Sequence, residues 1–247
     1  MAILRTAEDV EKIRFSGSIL KKVFAGIEHL IRPGISTSDI DAEAERLILE
    51  LGGEPAFKGY RGFPATICAS VNEVVVHGIP DKSTILEEGD IIGVDAGVRK
   101  NGYYTDAART YAVGKISPEA EELIRVTSEC LSAGIEKAVL GNRVSDISNA
   151  IQRRAEKAGM KEVRMFVGHG IGKQLHEAPE VPNWGEKGRG PVLKEGMLLA
   201  IEPMINLGTR DIKVLSDGWT AVTKDGMLSA HFEDTVIVGK ERAERLT

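Results

Sequence analysis

Apolar residues near the start of the chain recur at alternating spacings of three and four, which is the period of amphipathic helices. The first such stretch begins after Thr6, a suitable N-cap, and stops at Pro33-Gly34. The second begins near Ser36 or Thr37 and stops at Gly52-Gly53. The positions that define the two predicted helices are Val10, Ile13, Gly17, Leu20, Phe24, Ile27 and Ile31, then Ile40, Ala44, Leu47, Ile48 and Leu51.

The same pattern returns in the second half of the chain. Ser117-Pro118-Glu119 starts a helix predicted to run to about Leu140, and another is predicted from Ser145 to Gly159. Strand-like segments follow each helix pair, and they are Thr66–Val71, Val74–Val76, Met197–Ile205, Trp219–Thr223 and Ser229–Val238. The order helix, helix, strands therefore occurs twice, which is typical of an α+β fold.

The segment Asp90–Arg109 has the pattern of a hairpin with one aspartate on each arm. Asn101-Gly102 favours the turn, because both residue types tolerate a positive φ. A two-residue turn places Asp106 opposite Gly97, with Asp95 two residues along on the same face, roughly 7–8 Å away. Two carboxylates so placed can converge only on a cation. A four-residue turn leads to the same conclusion, whereas a three-residue turn would put them on opposite faces.

Short sequence matches recur 107 residues apart. The matching pairs are Gly34 and Gly141, Ser38-Asp39-Ile40 and Ser145-Asp146-Ile147, Gly52 and Gly159, and Glu88-Gly89 and Glu195-Gly196. The same shift maps Asp95 onto Glu202, which ends an apolar run. Coincidental turn chemistry is the alternative, since glycine and Ser-Asp are common at helix ends. We expect one domain over residues 1–247, built from two related units at roughly 1–110 and 111–247.

Composition excludes several classes of function. The net charge of -5 gives no electrostatic footprint for nucleic acid. No apolar run approaches the roughly 18–20 residues of a membrane span, and the N-terminus lacks the pattern of a secretory signal. Cys68 and Cys130 are few and far apart, so we expect free thiols and a cytoplasmic protein.

A set of acids and one histidine carries the candidate chemistry, and it comprises Asp95, Asp106, Glu202, Glu233 and His169. Each acid alone could be a solvent-facing residue at a strand end. Asp95, however, interrupts an apolar strand, where an unpaired carboxylate is costly. Oxygen ligands with one imidazole suit Mn, Fe(II), Co or Zn in a paired site. The glycines around His169 lack nucleotide-binding spacing, and no serine-nucleophile motif is present.

Six stretches that span the chain resemble type I methionine aminopeptidases of the short bacterial form. They are Ile67–Pro80, Gly89–Arg109, Gly168–Trp184, Ala200–Pro203, Asp217-Gly218-Trp219 and His231-Phe232-Glu233. The resemblance implies the "pita-bread" fold, an α+β arrangement in which two pseudo-twofold-related halves form a curved antiparallel sheet with outer helices. It also implies two divalent ions, with Co, Mn, Fe(II), Ni and Zn as candidates.

The resemblance assigns roles to the individual residues. Asp106 and Glu233 would bridge the two ions, Asp95 would bind one ion, and His169 with Glu202 the other. The implied reaction removes the initiator methionine when the next residue is small, by attack of a metal-bridging hydroxide on the scissile carbonyl. Glu202 would handle the proton.

Two further histidines enter through the same resemblance. His176 would polarise the carbonyl and stabilise the oxyanion, and His77 would contact the substrate backbone. A core histidine with a satisfied hydrogen bond is the alternative for both.

The methionine pocket implied by the resemblance is apolar. Its expected walls are Tyr60, Phe63, Cys68 and Trp219, each of which could instead belong to the core. Leu175 departs from the family, where phenylalanine is usual. A monovalent-cation site of backbone carbonyls is expected at Asn72, Val74 and Ser229.

Partners follow from the implied reaction. We expect nascent polypeptides with N-terminal methionine as substrates, the ribosome as a candidate partner, and a monomer. A proline-directed peptidase of the same fold is the nearest alternative, although such enzymes usually carry an additional N-terminal domain. A non-catalytic homologue is a second alternative, but such proteins lose metal ligands, and all the expected ligands occur here.

Overall fold

The helices lie where the apolar periodicity predicts them. The computed structural model describes Ile3 and residues 6–247, with helices α1 (Ala7–Ile27), α2 (Thr37–Glu50), α3 (Pro118–Ile135) and α4 (Val144–Lys157). Side chains of Thr6, Ser36 and Ser117 accept hydrogen bonds from the first turns of α1, α2 and α3. These caps confirm the predicted helix starts.

Two predicted helix ends need correction. A 3₁₀ turn at Glu28–Leu30 follows α1, so the α-helix stops before Pro33-Gly34. The predicted end of α3 at Leu140 is wrong, because the backbone N–H of Leu140 bonds to the carbonyl of Gly239 instead of continuing the helix.

Most strands of the described chain form one large sheet in which neighbouring strands run antiparallel. The strands are β1 (Glu54–Pro55), β2 (Ile67–Val71), β3 (Val74–Val76), β4 (Ile91–Lys100), β5 (Tyr103–Ala112), β6 (Lys161–Glu162), β7 (Gly168–Gly170), β8 (Glu177–Val181), β9 (Leu198–Ile201), β10 (Met204–Asn206), β11 (Ile212–Val214), β12 (Ala221–Thr223), β13 (Ser229–His231), β14 (Glu233–Ile237) and β15 (Glu244–Arg245). The large sheet has the order β1-β4-β5-β14-β9-β7-β8, with β2 on β4 and β15 on β14. Two smaller sheets have the orders β13-β10-β6 and β11-β12-β3.

Two predicted strands are each divided between two sheets. The segment Met197–Ile205 breaks at Glu202-Pro203, because proline cannot donate to the ladder, and β10 joins a different sheet from β9. The segment Ser229–Val238 breaks at Phe232, where β13 pairs with β10 and β14 pairs with β9. The strand predicted at Trp219–Thr223 begins only at Ala221.

The hairpin of β4 and β5 has the two-residue register predicted from its turn. Asp106 pairs with Gly97, and Asp95 pairs with Ala108. The turn residues Asn101 and Gly102 have φ values of 52° and 79°. Asp95 and Asp106 therefore share one face of the sheet, as the sequence predicts.

Outer helices cover the opposite face. Ile92, Val94 and Ala96 of β4 alternate with Asp95 and pack in one apolar cluster with α1 and α2. Leu199 and Ile201 of β9 pack in a second cluster with α3 and α4. Because side chains alternate along a strand, the acids lie on the face away from the helices.

The two halves contain matching contacts at the spacing found in the sequence. Gly34 donates its N–H to the carbonyl of Leu86, and Gly141 donates to Leu193, 107 residues further along in both cases. Helices α2 and α4 have the same length and the same offset. These contacts support the predicted duplication. The duplication itself and the boundaries of the two units stay predictions.

No helix in residue 3 and residues 6–247 combines the length and apolar character needed to cross a membrane.

Replacing Thr235 with valine should lower the free energy of unfolding by about 1–3 kcal/mol. The Thr235 hydroxyl lies between β14 and β5, where it accepts the Asp106 N–H at 2.9 Å and donates to the Asp106 carbonyl at 2.8 Å. Valine keeps the shape but leaves the buried Asp106 N–H unpaired, and the Asp106 carbonyl keeps only the longer hydrogen bond from the Thr247 hydroxyl at 3.4 Å. Urea denaturation measures the change.

The matched control is Thr127→Val, because Thr127 is equally buried but donates only to Leu123 within its own helix. We expect this control to cost less than about 1 kcal/mol. Equal losses in the two variants would contradict the proposed link between Thr235 and Asp106.

Candidate active site

Neighbouring strands bring the predicted metal ligands to one cavity. Asp95 lies on β4, Asp106 on β5, Glu233 begins β14, Glu202 follows β9 and His169 lies on β7. These strands are consecutive in the large sheet, and all five side chains line the same cavity. The structure therefore collects residues that are up to 138 positions apart in the chain.

The ligand atoms are close enough to share ions. One atom each from Asp106, His169 and Glu233 lie within 4.8 Å of one another. The same limit holds for Glu202, Glu233 and His231, a histidine that was not singled out as a site residue from the sequence. Strand alternation does not identify it from the sequence, because the strand breaks at Phe232 between His231 and Glu233.

Several carboxylate oxygens in this cavity are buried without a hydrogen-bond partner among the described residues. They include Asp95 Oδ1, Asp106 Oδ1 and Glu233 Oε1. A buried carboxylate oxygen without a donor is costly. These orphaned atoms fit a cation-binding site, and their hard oxygen chemistry with one imidazole fits a divalent transition metal.

Burial raises the pKa of every acid in the cluster. The pKa of Asp95 rises from 3.8 to about 7, chiefly through burial. The pKa values of Asp106, Glu202 and Glu233 lie well above the usual range, first because of burial and then because of neighbouring negative charge. A bound cation would favour the ionised forms and reverse these shifts.

His169 is held in an orientation suited to a ligand. Its Nδ1 lies 3.0 Å from the Gly170 carbonyl, and its Nε2 lies 3.5 Å from Glu202 Oε1. Burial lowers the pKa of His169, which favours the neutral imidazole that metals bind. The flanking glycines are sterically required, since a Cβ at Gly168 would lie 2.4 Å from the Ala200 carbonyl oxygen.

The two other predicted histidines line the same cavity. His176 Nδ1 lies 3.0 Å from the Tyr60 hydroxyl, and its ring centroid is 4.2 Å from that of His169. His77 makes edge contacts with Phe166 and Trp219, at centroid distances of 5.0 and 6.2 Å. Burial lowers the pKa of both His77 and His176, so both rings are neutral near pH 7.

The predicted pocket walls also lie together. Phe63 packs edge-to-face on Trp219 at 5.1 Å, and both line the cavity with Tyr60 and Cys68. Burial raises the pKa of Cys68 well above its ordinary value, which leaves an unreactive thiol. Leu175 lines the cavity as well.

Two further lining residues were not predicted, namely Phe57 and Arg61. Both belong to the segment before β2, where no hydrophobic periodicity marks a strand or helix.

The expected monovalent-cation residues lie outside this cavity. Asn72 has a φ of 53°, its carbonyl accepts the N–H of Ser229 at 3.0 Å, and its side chain donates to Asp90. Val74 starts β3 nearby in sequence. Asn72 and Ser229 are thus neighbours, and a cation at these three residues stays a prediction.

Comparison with known proteins reveals close relatives over the full chain. The model of metallopeptidase family M24 matches residues 11–240. A methionine aminopeptidase of Clostridium acetobutylicum is 51% identical over 100% of this chain and 99% of its own length. Methionine aminopeptidase 1 of Bacillus subtilis is 47% identical with the same coverage.

Solved structures agree in fold. A methionine aminopeptidase from Thermotoga maritima superposes with a TM-score of 0.98 at 42% identity, covering 100% of this chain and 99% of that one. A prolidase from Pyrococcus furiosus has a TM-score of 0.81 at 24% identity, and the match covers 99% of this chain and 65% of that one. At this identity the likeness shows only a common fold. The predicted pita-bread α+β fold is confirmed. The chain belongs to metallopeptidase family M24 and, within it, to the methionine aminopeptidases.

Proposed function

We propose that this protein is a dinuclear-metal aminopeptidase that hydrolytically removes N-terminal methionine from proteins whose second residue is small. The observation that carries the proposal is the convergence of unpartnered, buried carboxylate oxygens with one neutral imidazole. The same cavity has an apolar wall that suits a methionine side chain. The family membership supports the same reaction class.

The strand order supports a division of these residues between two ions. Strands β5 and β14, which carry Asp106 and Glu233, lie between β4 and β9, so these two acids would bridge, Asp95 would bind one ion, and His169 with Glu202 the other. Co, Mn, Fe(II), Ni and Zn all accept such oxygen and imidazole ligands. When bound, the ions would polarise the scissile carbonyl and lower the pKa of a water molecule.

The chain's own groups would orient the substrate and move its protons. Glu202 would accept a proton from the attacking water, since its carboxylate lines the cavity beside His169. Tyr60 would donate its O–H to His176 Nδ1, which leaves the proton of that imidazole on Nε2. His176 can then donate to the carbonyl oxygen as negative charge develops there. His77 would contact the substrate backbone.

Crowding around the two histidines supports a small second residue. His176 stacks on Tyr60 with centroids 5.3 Å apart, and His77 already touches Phe166. With the scissile bond placed between these rings, the next side chain would lie beside them, and we propose that only a small one is accepted there. The side chain of the N-terminal methionine would pack against the apolar wall formed by Phe63 and Trp219.

Nascent polypeptides are the proposed substrates, and the cytoplasm, where they emerge, is the proposed location. The described cysteines, Cys68 and Cys130, are both free, which is compatible with a reducing compartment. We propose a monomer that meets its substrates at or near the ribosome.

Peptide hydrolysis with metal-loaded protein tests the function. We expect free methionine from Met-Ala-Ser in the presence of Mn or Co, and release at least roughly tenfold slower from Met-Leu-Ser. Ala-Pro peptides should not be cleaved. Failure to release methionine with each of Mn, Co, Fe(II), Ni and Zn would contradict the proposal, and cleavage of Ala-Pro peptides alone would favour a proline-directed enzyme.

Asp106→Asn should abolish the release of methionine from Met-Ala-Ser. The control Asp211→Asn, which removes the same charge at an exposed position, should not.

The metal-free protein should lose stability as the pH rises. Because the pKa of Asp95 is raised from 3.8 to about 7, the folded protein keeps a proton that the unfolded chain releases. Stability from this group is fully present below about pH 4 and is lost as the pH rises through about 7. Relative to Asp95→Asn, the wild type should lose on the order of 4 kcal/mol across this range.

Urea denaturation at several pH values, with a chelator present, measures this difference. Added Mn should stabilise the wild type at neutral pH. A difference between wild type and Asp95→Asn that does not change with pH would show that Asp95 is not forced into a costly buried charge.

A further inference from the structure

His231 is a buried histidine without a role in the mechanism above. It ends β13, and its side chain is only 4% exposed. Its backbone is fixed on both sides, since the N–H donates to Thr110 Oγ1 at 2.9 Å and the carbonyl accepts from the same hydroxyl at 2.8 Å. The His231 backbone also pairs with Met204 of β10. The ring therefore projects from a rigid part of the sheet.

The Nε2 atom of His231 is buried and has no hydrogen-bond partner among the described residues. A buried ring nitrogen without a partner is unfavourable, so a nearby acceptor is expected. The carboxylate of Glu202 lies nearby, with its Oε2 3.8 Å from His231 Nε2. A shift of about 1 Å in the Glu202 carboxylate would bring this pair to hydrogen-bond length.

The two oxygens of Glu202 face different imidazoles. Oε1 lies 3.5 Å from Nε2 of His169, the proposed metal ligand, whereas Oε2 lies 3.8 Å from His231. The Glu202 backbone is also held, because its carbonyl accepts from Asn183 Nδ2 at 3.0 Å. Glu202 thus stands between a ligand histidine and a second histidine on its other side.

We propose that His231 is a positioning residue that donates a hydrogen bond from Nε2–H to Oε2 of Glu202 and so keeps Oε1 directed at the metal site. This inference rests on the proposed role of Glu202 as a ligand and proton acceptor. Outer hydrogen bonds of this kind fix the orientation of metal ligands, and their loss typically costs 10–100-fold in metal affinity or activity.

Two amide substitutions separate this role from others. His231→Gln places an N–H donor near the position of Nε2, whereas His231→Asn places its amide near Nδ1, too far back to reach Glu202. Both variants keep a neutral polar side chain at the same buried position. His29→Leu is the control for loss of an unrelated histidine, because His29 is exposed and bonds only locally to the Gly26 carbonyl.

The experiment measures three quantities on each full-length variant. They are the specificity constant kcat/KM for Met-Ala-Ser, resolved into its kcat and KM parts, the affinity of the metal-free protein for Mn by titration calorimetry, and the absorption spectrum of the Co(II) form. Thermal melting of the metal-free proteins confirms that each variant folds.

We expect His231→Asn to lower kcat or Mn affinity by roughly 10–100-fold with KM changed less than about threefold. His231→Gln should retain both within about threefold, and its Co(II) spectrum should match that of the wild type.

Several outcomes would overturn the proposal. Unchanged kcat and Mn affinity in His231→Asn would show that Glu202 needs no such partner. Equal loss in a folded His231→Gln, with an altered Co(II) spectrum, would make His231 a direct ligand instead. If the wild type released no methionine, the proposed function would fail, yet the order of the Mn affinities would still decide the role of His231.

Discussion

Mutual repulsion among buried carboxylates is the constraint on which the centre of this molecule depends. Asp106 and Glu233 are almost inaccessible, their pKa values are raised first by burial and then by neighbouring carboxylates, and oxygens of both lack partners among the described residues. Such a cluster destabilises the fold unless protons or cations neutralise it. A metal site explains why the fold keeps so many buried carboxylates together. The reaction proposed for the protein uses the same carboxylates to hold its metal ions.

The surrounding fold supplies the rigidity that this cluster requires. Outer helices pack on one face of the sheet through residues such as Val94 and Leu199, which supports the strands that carry the acids on the opposite face. Threonine hydroxyls replace ladder bonds where strands diverge, with Thr235 at Asp106 and Thr110 at His231. His231 and Asn183 then hold Glu202 from two sides in the arrangement that we infer. The backbone contacts of the strands thus position the ligand side chains.

Local chemistry made much of this predictable from the sequence. The hairpin register followed from the Asn101-Gly102 turn, and the helix starts followed from their caps, because both depend on neighbouring residues. Strand partners depend on distant contacts, and so the division at Pro203 and the early end of α3 were missed. His231 was missed as well, since its significance depends on a facing residue, Glu202, that lies beyond the break in the strand. The resemblance to a family supplied the residue roles, which stay predictions here.

Anomalous diffraction from crystals loaded with manganese tests the paired metal site most directly. The proposal predicts two manganese peaks per chain in the cavity, one beside Asp95 and one beside His169 and Glu202, with Asp106 and Glu233 between them. A cavity that binds no manganese, or a single ion, would contradict a site in which these carboxylates are held together by a pair of metals.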